Sequence, residues 1–180
     1  MLVDTARYTA KIILRPTVRL DNVRMLLARA AHYDWEVHPV DVKTAFLHAP
    51  LDEDVYMDVP EGVETDNGKK GNCIKLQKAL YGLKQASRAW NKTSVGFIKS
   101  LKFKQLATDS SVFTRRSVAG DVIIVVQHVD DQNVFASTLP LLVDFKVELK
   151  AQNDIDDIGE KKYFFGLEVL RDQSRQTIKL

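Results

Sequence analysis

With 180 residues, 45% of them hydrophobic and 28% charged, the chain is long enough to bury a core and too apolar to be disordered throughout. Its formal net charge of +2 does not by itself mark a nucleic-acid binder, so any such surface must come from local patches of Lys and Arg. Cys73 is the single cysteine, which excludes an intrachain disulfide framework and a multi-cysteine zinc site and fits a reducing, intracellular setting; no apolar run reaches bilayer length, so no membrane partner is expected.

The first fifteen residues, MLVDTARYTAKIILR, are basic and nearly free of acid, as transit peptides are, but lack their serine. They read as an N-terminal remnant ahead of one domain, residues 16–180. From Asp21, DNVRMLLARAAHYDW places Val23, Leu26, Leu27, Ala30 and Ala31 at helical spacing, with Asp21 as the N-cap. Glu36 to Val42 alternates as a strand does, and Pro39 within it marks an edge or a bulge. Val55-Tyr56-Met57 is a short strand in a turn-rich stretch that runs to Asn72, and Ile74-Lys75-Leu76 is another.

A second helix is predicted from Ser87 to Lys102, with Ala86, Ala89, Trp90, Thr93, Phe97 and Leu101 on one face and Trp90 in the core. Ser111 to Thr114 and Val122 to Val129 form a hairpin around Ala119-Gly120-Asp121, and Asn133 to Ala136 returns after Asp130-Asp131. Thr138 caps a third helix, with Pro140 in its first turn and Leu142, Phe145 and Leu149 facing inward. Lys162 to Leu170 and Thr177 to Leu180 are two strands across the polar turn RDQSRQ. Hairpins separated by helices predict an α+β fold: an antiparallel sheet with helices packed on one face.

Three carboxylates stand out. Asp41 ends one predicted strand, and Asp130-Asp131 occupy the tip of a hairpin. Magnesium takes hard oxygen ligands and needs only one or two protein carboxylates. Clustered like charges call for a compensating cation. Aspartate is also common in turns, and on spacing alone the turn is the better reading of Asp130-Asp131.

The neighbouring segments shift that balance. VHPVDVKTAFLHAPLDEDVYMDVPEGV, LQKALYGLKQASRAWN, VVQHVDD and GEKKYFFGLEV resemble, in order and spacing, four segments of Copia-type LTR-retrotransposon reverse transcriptases. The resemblance covers about residues 16–180. It implies a palm-type domain with a ferredoxin/RRM-like core, partial fingers and no thumb, catalysing RNA-dependent DNA polymerisation by two-metal nucleotidyl transfer. Asp41, Asp130 and Asp131 match its catalytic carboxylates, and the Val42 carbonyl is expected to join the metal shell. The implied cofactor is Mg2+, as two ions, with Mn2+ as a substitute.

Phe46 matches the ring that excludes a 2′-hydroxyl, and is equally a core Phe. Tyr81, Gly82 and Lys84 match the segment beside the incoming nucleotide. Gln85, Arg88, His128, Phe165 and Gly166 match positions along template and primer, although an aromatic-rich hairpin such as Phe165-Gly166-Leu167 is more often just core. Lys84 and Arg88 read equally as solvated helix-end charges. The implied partners are an RNA template, a DNA primer, deoxynucleotide triphosphates and the remaining Pol segments, RNase H and integrase. The implied location is cytoplasmic, in a virus-like particle, or nuclear.

His128 departs from the family, where tyrosine precedes Val-Asp-Asp. The chain also matches the family's fingers weakly and stops before a thumb. The expectation is therefore a domain with little or no activity in isolation, and the alternative is a non-catalytic nucleic-acid-binding remnant or decayed transposon fragment.

Overall fold

The computed structural model describes residues 2–3, 18–62, 73–129, 131–151, 155–157, 163–164, 167–172 and 175–179. In chain order they form β1 (Leu2–Val3), α1 (Leu20–His32), β2 (Glu36–Val42), a 3-10 turn (Ala45–His48), β3 (Pro50–Asp58), β4 (Cys73–Lys78), α2 (Ala86–Ser100), β5 (Lys104–Gln105), β6 (Val112–Arg116), β7 (Val122–His128), β8 (Asp131–Ala136), α3 (Leu139–Lys150), β9 (Ile155–Asp157), β10 (Tyr163–Phe164), β11 (Leu167–Glu168), β12 (Leu170–Asp172) and β13 (Thr177–Lys179). Helices combined with antiparallel sheets make this an α+β fold, as expected. Among the described residues no helix is long and apolar enough to cross a membrane. The chain divides into two compact units, Met1–Leu14 with Ala45–Thr93, and Arg15–Thr44 with Ser94–Leu180.

The second unit is built on a six-stranded sheet in the order β5-β6-β7-β8-β2-β9. Its strands are rich in β-branched residues, which suit a pleated, buried surface. Val37, Val112, Val126 and Phe135 pack with Val23, Leu26, Leu27 and Ala30 of α1 in one buried cluster. Successive strand residues point to opposite faces. His38, Arg115 and Gln132 accordingly leave the other face, and they meet the other two helices there. Lys146 Nζ of α3 lies 3.2 Å from His38 Nδ1. Glu148 of α3 accepts from Arg115 at 2.9 Å, and Gln132 Nε2 donates to Ser94 Oγ of α2 at 3.3 Å.

Helices therefore cover both faces of this sheet, which corrects the expectation of one covered face. The reason is visible in β8, which is buried without a break from Gln132 to Ala136. A strand buried on both sides needs cover on both. Pro39 pairs with Asn133 of β8, and among the described residues β9 reaches only Val40 to Val42 of β2.

Three local expectations need revision. α1 begins at Leu20, with Arg19 at the N-cap making no side-chain cap bond and Asp21 inside the first turn. The capping carboxylate comes from far along the chain: Asp109 accepts from Arg19 N–H at 3.1 Å and from Asn22 Nδ2 at 2.7 Å. Thr138 holds the N-cap position of α3, but its hydroxyl makes no capping bond. The stretch from Lys162 to Leu170 is not one strand. Tyr163–Phe164 pairs with Leu167–Glu168, and Leu170–Asp172 then pairs with Thr177–Lys179.

α2 buries Ala86, Trp90, Ser94 and Ile98, one residue per turn, while Ala89, Thr93 and Phe97 are half-buried. α3 buries Leu142, Phe145 and Leu149 as the periodicity predicts.

The first unit carries the sheet β1-β3-β4. β3 runs well beyond the predicted Val55-Tyr56-Met57, with an irregular register between Pro50 and Val55. Ala45, Phe46, Ala49, Val55 and Ala79 are buried within it, and Ala79 N–H donates to the Ala49 carbonyl at 2.9 Å.

Candidate functional site

The registers of the six-stranded sheet align one row of polar residues across four strands. His128 of β7 stands opposite Asp131 of β8, Asp131 opposite Asp41 of β2, and Asp41 opposite Asp156 of β9. Cα atoms of such partners are about 4.5–5.5 Å apart. By strand alternation His128, Asp131 and Asp41 share the face of Val126, Phe135 and Val37. Asp131 is exposed, Asp41 and His128 are half-buried, and the Val42 side chain is buried in the core.

The β2–β8 ladder is unbroken from Glu36 opposite Ala136 to Asp41 opposite Asp131. A slip of one residue would turn the buried faces to solvent, so packing fixes which carboxylates face each other. Like charges directly opposite each other are destabilising, a penalty that a bound cation removes. Among the described residues no group of three or more His, Cys, Asp or Glu side chains is arranged to hold a metal. Asp130, the third expected carboxylate, lies outside the described residues.

The turn that carries this row is strained. His128 and Asp131 pair directly, and Val129 follows His128 as a turn residue. Val129 adopts φ of 57°, as the first position of a tight hairpin requires. For a β-branched side chain that conformation costs about 1–3 kcal/mol. Gln127 Nε2 reaches the Val129 carbonyl at 3.4 Å.

The remaining described candidates belong to the other unit. Phe46 is 8% exposed and Tyr81 56% exposed, and their rings meet at 4.5 Å with a 50° tilt. Gly82 has φ of 95° with open space where a Cβ would stand, so its backbone, not crowding, calls for glycine. The Gln85 carbonyl accepts from Arg88 N–H at 3.1 Å and Ala89 N–H at 3.0 Å, which starts α2. Lys84 and Arg88 are exposed. Lys92 bonds Asp52 at 2.8 Å; that bond and its charge, with a smaller contribution from Arg88, hold the Asp52 carboxyl below its ordinary value. Trp90 is core, at 1% exposed. Phe165 and Gly166 lie outside the described residues.

The structure thus aligns Asp41, Asp131 and His128 in one unit, with Val42 beside them. It carries Phe46, Tyr81, Gly82, Lys84, Gln85 and Arg88 in the other. Sequence reasoning missed Asp156, which β9 sets opposite Asp41. The acidic run at 154–157 is the only local signal there, and it does not name a pairing partner.

Comparison with known proteins gives the family. The profile of the family described as "Reverse transcriptase (RNA-dependent DNA polymerase)" matches residues 3–180. The retrovirus-related Pol polyprotein from transposon TNT 1-94 of Nicotiana tabacum is 36% identical over 168 residues, covering 93% of this chain and 13% of that protein. The Pol polyprotein from transposon RE1 of Arabidopsis thaliana is 31% identical over 156 residues, covering 87% of this chain and 10% of that one. In Saccharomyces cerevisiae the putative transposon Ty5-1 protein is 30% identical over 130 residues, 72% of this chain and 42% of that one. The chain therefore spans only a small part of the polyproteins it matches. It belongs to the reverse transcriptase (RNA-dependent DNA polymerase) family, in the form carried by the Pol polyproteins of Copia-type LTR retrotransposons.

Proposed function

We propose that this chain supplies the palm of an RNA-dependent DNA polymerase, with the six-stranded sheet as its platform and the Asp41–Asp131 end as its catalytic edge. The observation that carries this reading is the direct cross-strand pairing of Asp41 with Asp131. Hard carboxylate oxygens at a rigid sheet end suit magnesium, which keeps most of its shell for water and phosphate. Bound there, a pair of magnesium ions supplies charge stabilisation to the attacking and leaving oxygens of an in-line displacement.

The chain's own contribution is position. Asp41 and Asp131, joined by Asp130 on the family match, fix where a triphosphate and a primer end meet. In the other unit the nearly buried Phe46 ring packs on Tyr81, and the family match gives it the role of selecting a sugar without a 2′-hydroxyl. Exposed Lys84 and Arg88 give salt-dependent contacts to phosphate. His128, beside Asp131, occupies the tyrosine position and lies against the primer. The remaining Pol segments complete the polymerase around this palm.

Primer extension on a primed homopolymer RNA template with magnesium tests the proposal. With the remaining Pol segments supplied, the expected result is deoxynucleotide incorporation that Asp131→Asn abolishes, and the chain alone should give little or none. Salt-sensitive RNA binding that ignores both magnesium and Asp41→Ala, without incorporation, identifies a non-catalytic nucleic-acid-binding module instead.

A further inference from the structure

Directly behind the acidic row, on the opposite face of the same sheet, lies a second polar row. Gln127 stands opposite Gln132, and Gln127 N–H donates to the Ser111 carbonyl at 2.8 Å, which places Ser111 on the same line across β6, β7 and β8. Strand alternation turns all three side chains towards α2 and α3. They are interior groups: Ser111 is 3% exposed and the two glutamines 2% each. One end of each amide is engaged, Gln132 Nε2 with Ser94 Oγ and Gln127 Nε2 with the Val129 carbonyl. The other ends, Gln127 Oε1 and Gln132 Oε1, are buried without a partner among the described residues, as is Ser111 Oγ.

Two acceptors and one hydroxyl, side by side and out of direct reach of each other, match the capacity of one water molecule. It donates to both Oε1 atoms and accepts from the Ser111 hydroxyl, the three bonds that buried waters ordinarily make. The Val129 carbonyl only accepts, so the Gln127 amide is fixed with Nε2 towards it and Oε1 left over; exchanging the Gln132 amide would leave Nε2 over instead, and the same water accepts from that donor.

We infer that Ser111, Gln127 and Gln132 form a binding site for one internal water, and that this water-closed network positions the Val129 turn by anchoring its carbonyl to β6, β8 and α2. Val129 sits in a conformation its side chain disfavours, and such strain persists only where surrounding bonds over-determine it. The inference deepens the proposed function, because this turn carries Asp131, but its test does not require catalysis.

The test combines Gln127→Met, Gln132→Met, their double variant and Ser111→Ala with urea unfolding and amide hydrogen exchange. Each single glutamine change is expected to raise the unfolding equilibrium constant about 10-fold. The double variant should raise it by clearly less than the product, since removing both amides also removes the need for the water. At temperatures where the fold is intact, exchange at the Asp131 and Gln132 amides should quicken about 10-fold while exchange at Ile123 and Ala136 does not. Ser111→Ala should reproduce the local quickening with a smaller loss of stability, which keeps the test open if a methionine variant fails to fold. Strictly additive unfolding, or exchange that quickens equally at both ends of the hairpin, overturns the inference. Absence of primer extension with the remaining Pol segments supplied bears on the proposed function and leaves these readouts unchanged.

Discussion

The two turns at opposite ends of β7 reverse the chain by different means. Between β6 and β7, Ser117 N–H donates to the Asp121 carbonyl at 2.9 Å, and Asp121 N–H donates to Ser117 Oγ at 3.0 Å. Gly120 takes the left-handed position at φ 94°, where glycine is at no disadvantage. Between β7 and β8 the left-handed position falls to Val129, and its carbonyl is held by a glutamine from behind. The first turn follows local chemistry and holds none of the candidate site residues. The second violates it and presents the row His128–Asp131–Asp41. Breaks in local consistency of this kind concentrate at functional sites, and here the break coincides with the catalytic edge that the family implies.

Charge removal at the second turn should have the largest effect. With the remaining Pol segments supplied, Asp41→Asn and Asp131→Asn are each expected to lower primer extension at least about 100-fold. Thermal midpoints should hold or rise, because a like-charge pair is relieved; parallel extension assays and melting curves check both. Exchanging the turn residues comes next. Gly120→Val forces a branched side chain to φ 94° and should cost about 1–3 kcal/mol in urea unfolding. Val129→Gly relieves strain but loosens the unfolded chain, so its net change should stay within about 1 kcal/mol. Equal losses at both turns would erase the contrast between them.

The smallest effect concerns neither turn. Burial raises the Asp109 carboxyl, but bonds from Arg19 N–H, Ser111 N–H and Asn22, with the Arg19 charge, outweigh it and hold the group below its ordinary value. Its unfolded value is near the usual aspartate figure of about 3.9. The stability it contributes is therefore fully present above about pH 4 and is lost as pH falls through the folded value. Asp109→Asn should flatten that acid limb of a stability-versus-pH curve and leave Mn2+ binding at the proposed Asp41–Asp131 edge unchanged.

Apolar periodicity in the sequence was enough to find the inner faces of α1 and α3 and the strands β6 to β8. Those features are encoded within one element. What escaped it lies between elements. Asp109 caps a helix some 90 positions away, and β9 brings Asp156 opposite Asp41. The second covered face of the sheet depends on which helix returns to which side, and the alternation within a strand reports burial without naming the partner. The carboxylate pair was legible only because family segments flank it. Taken alone, Asp130-Asp131 is an ordinary turn sequence, and its strain resides in the preceding valine.

Manganese binding followed by electron paramagnetic resonance measures the central claim most directly, because it asks whether Asp41 and Asp131 act as one site. The wild-type chain is expected to remove Mn2+ from the free pool saturably, with magnesium competing. Asp41→Asn and Asp131→Asn should each lose that binding, and Gly120→Val, measured where it is folded, should keep it. Undiminished Mn2+ binding by both aspartate variants would contradict the account.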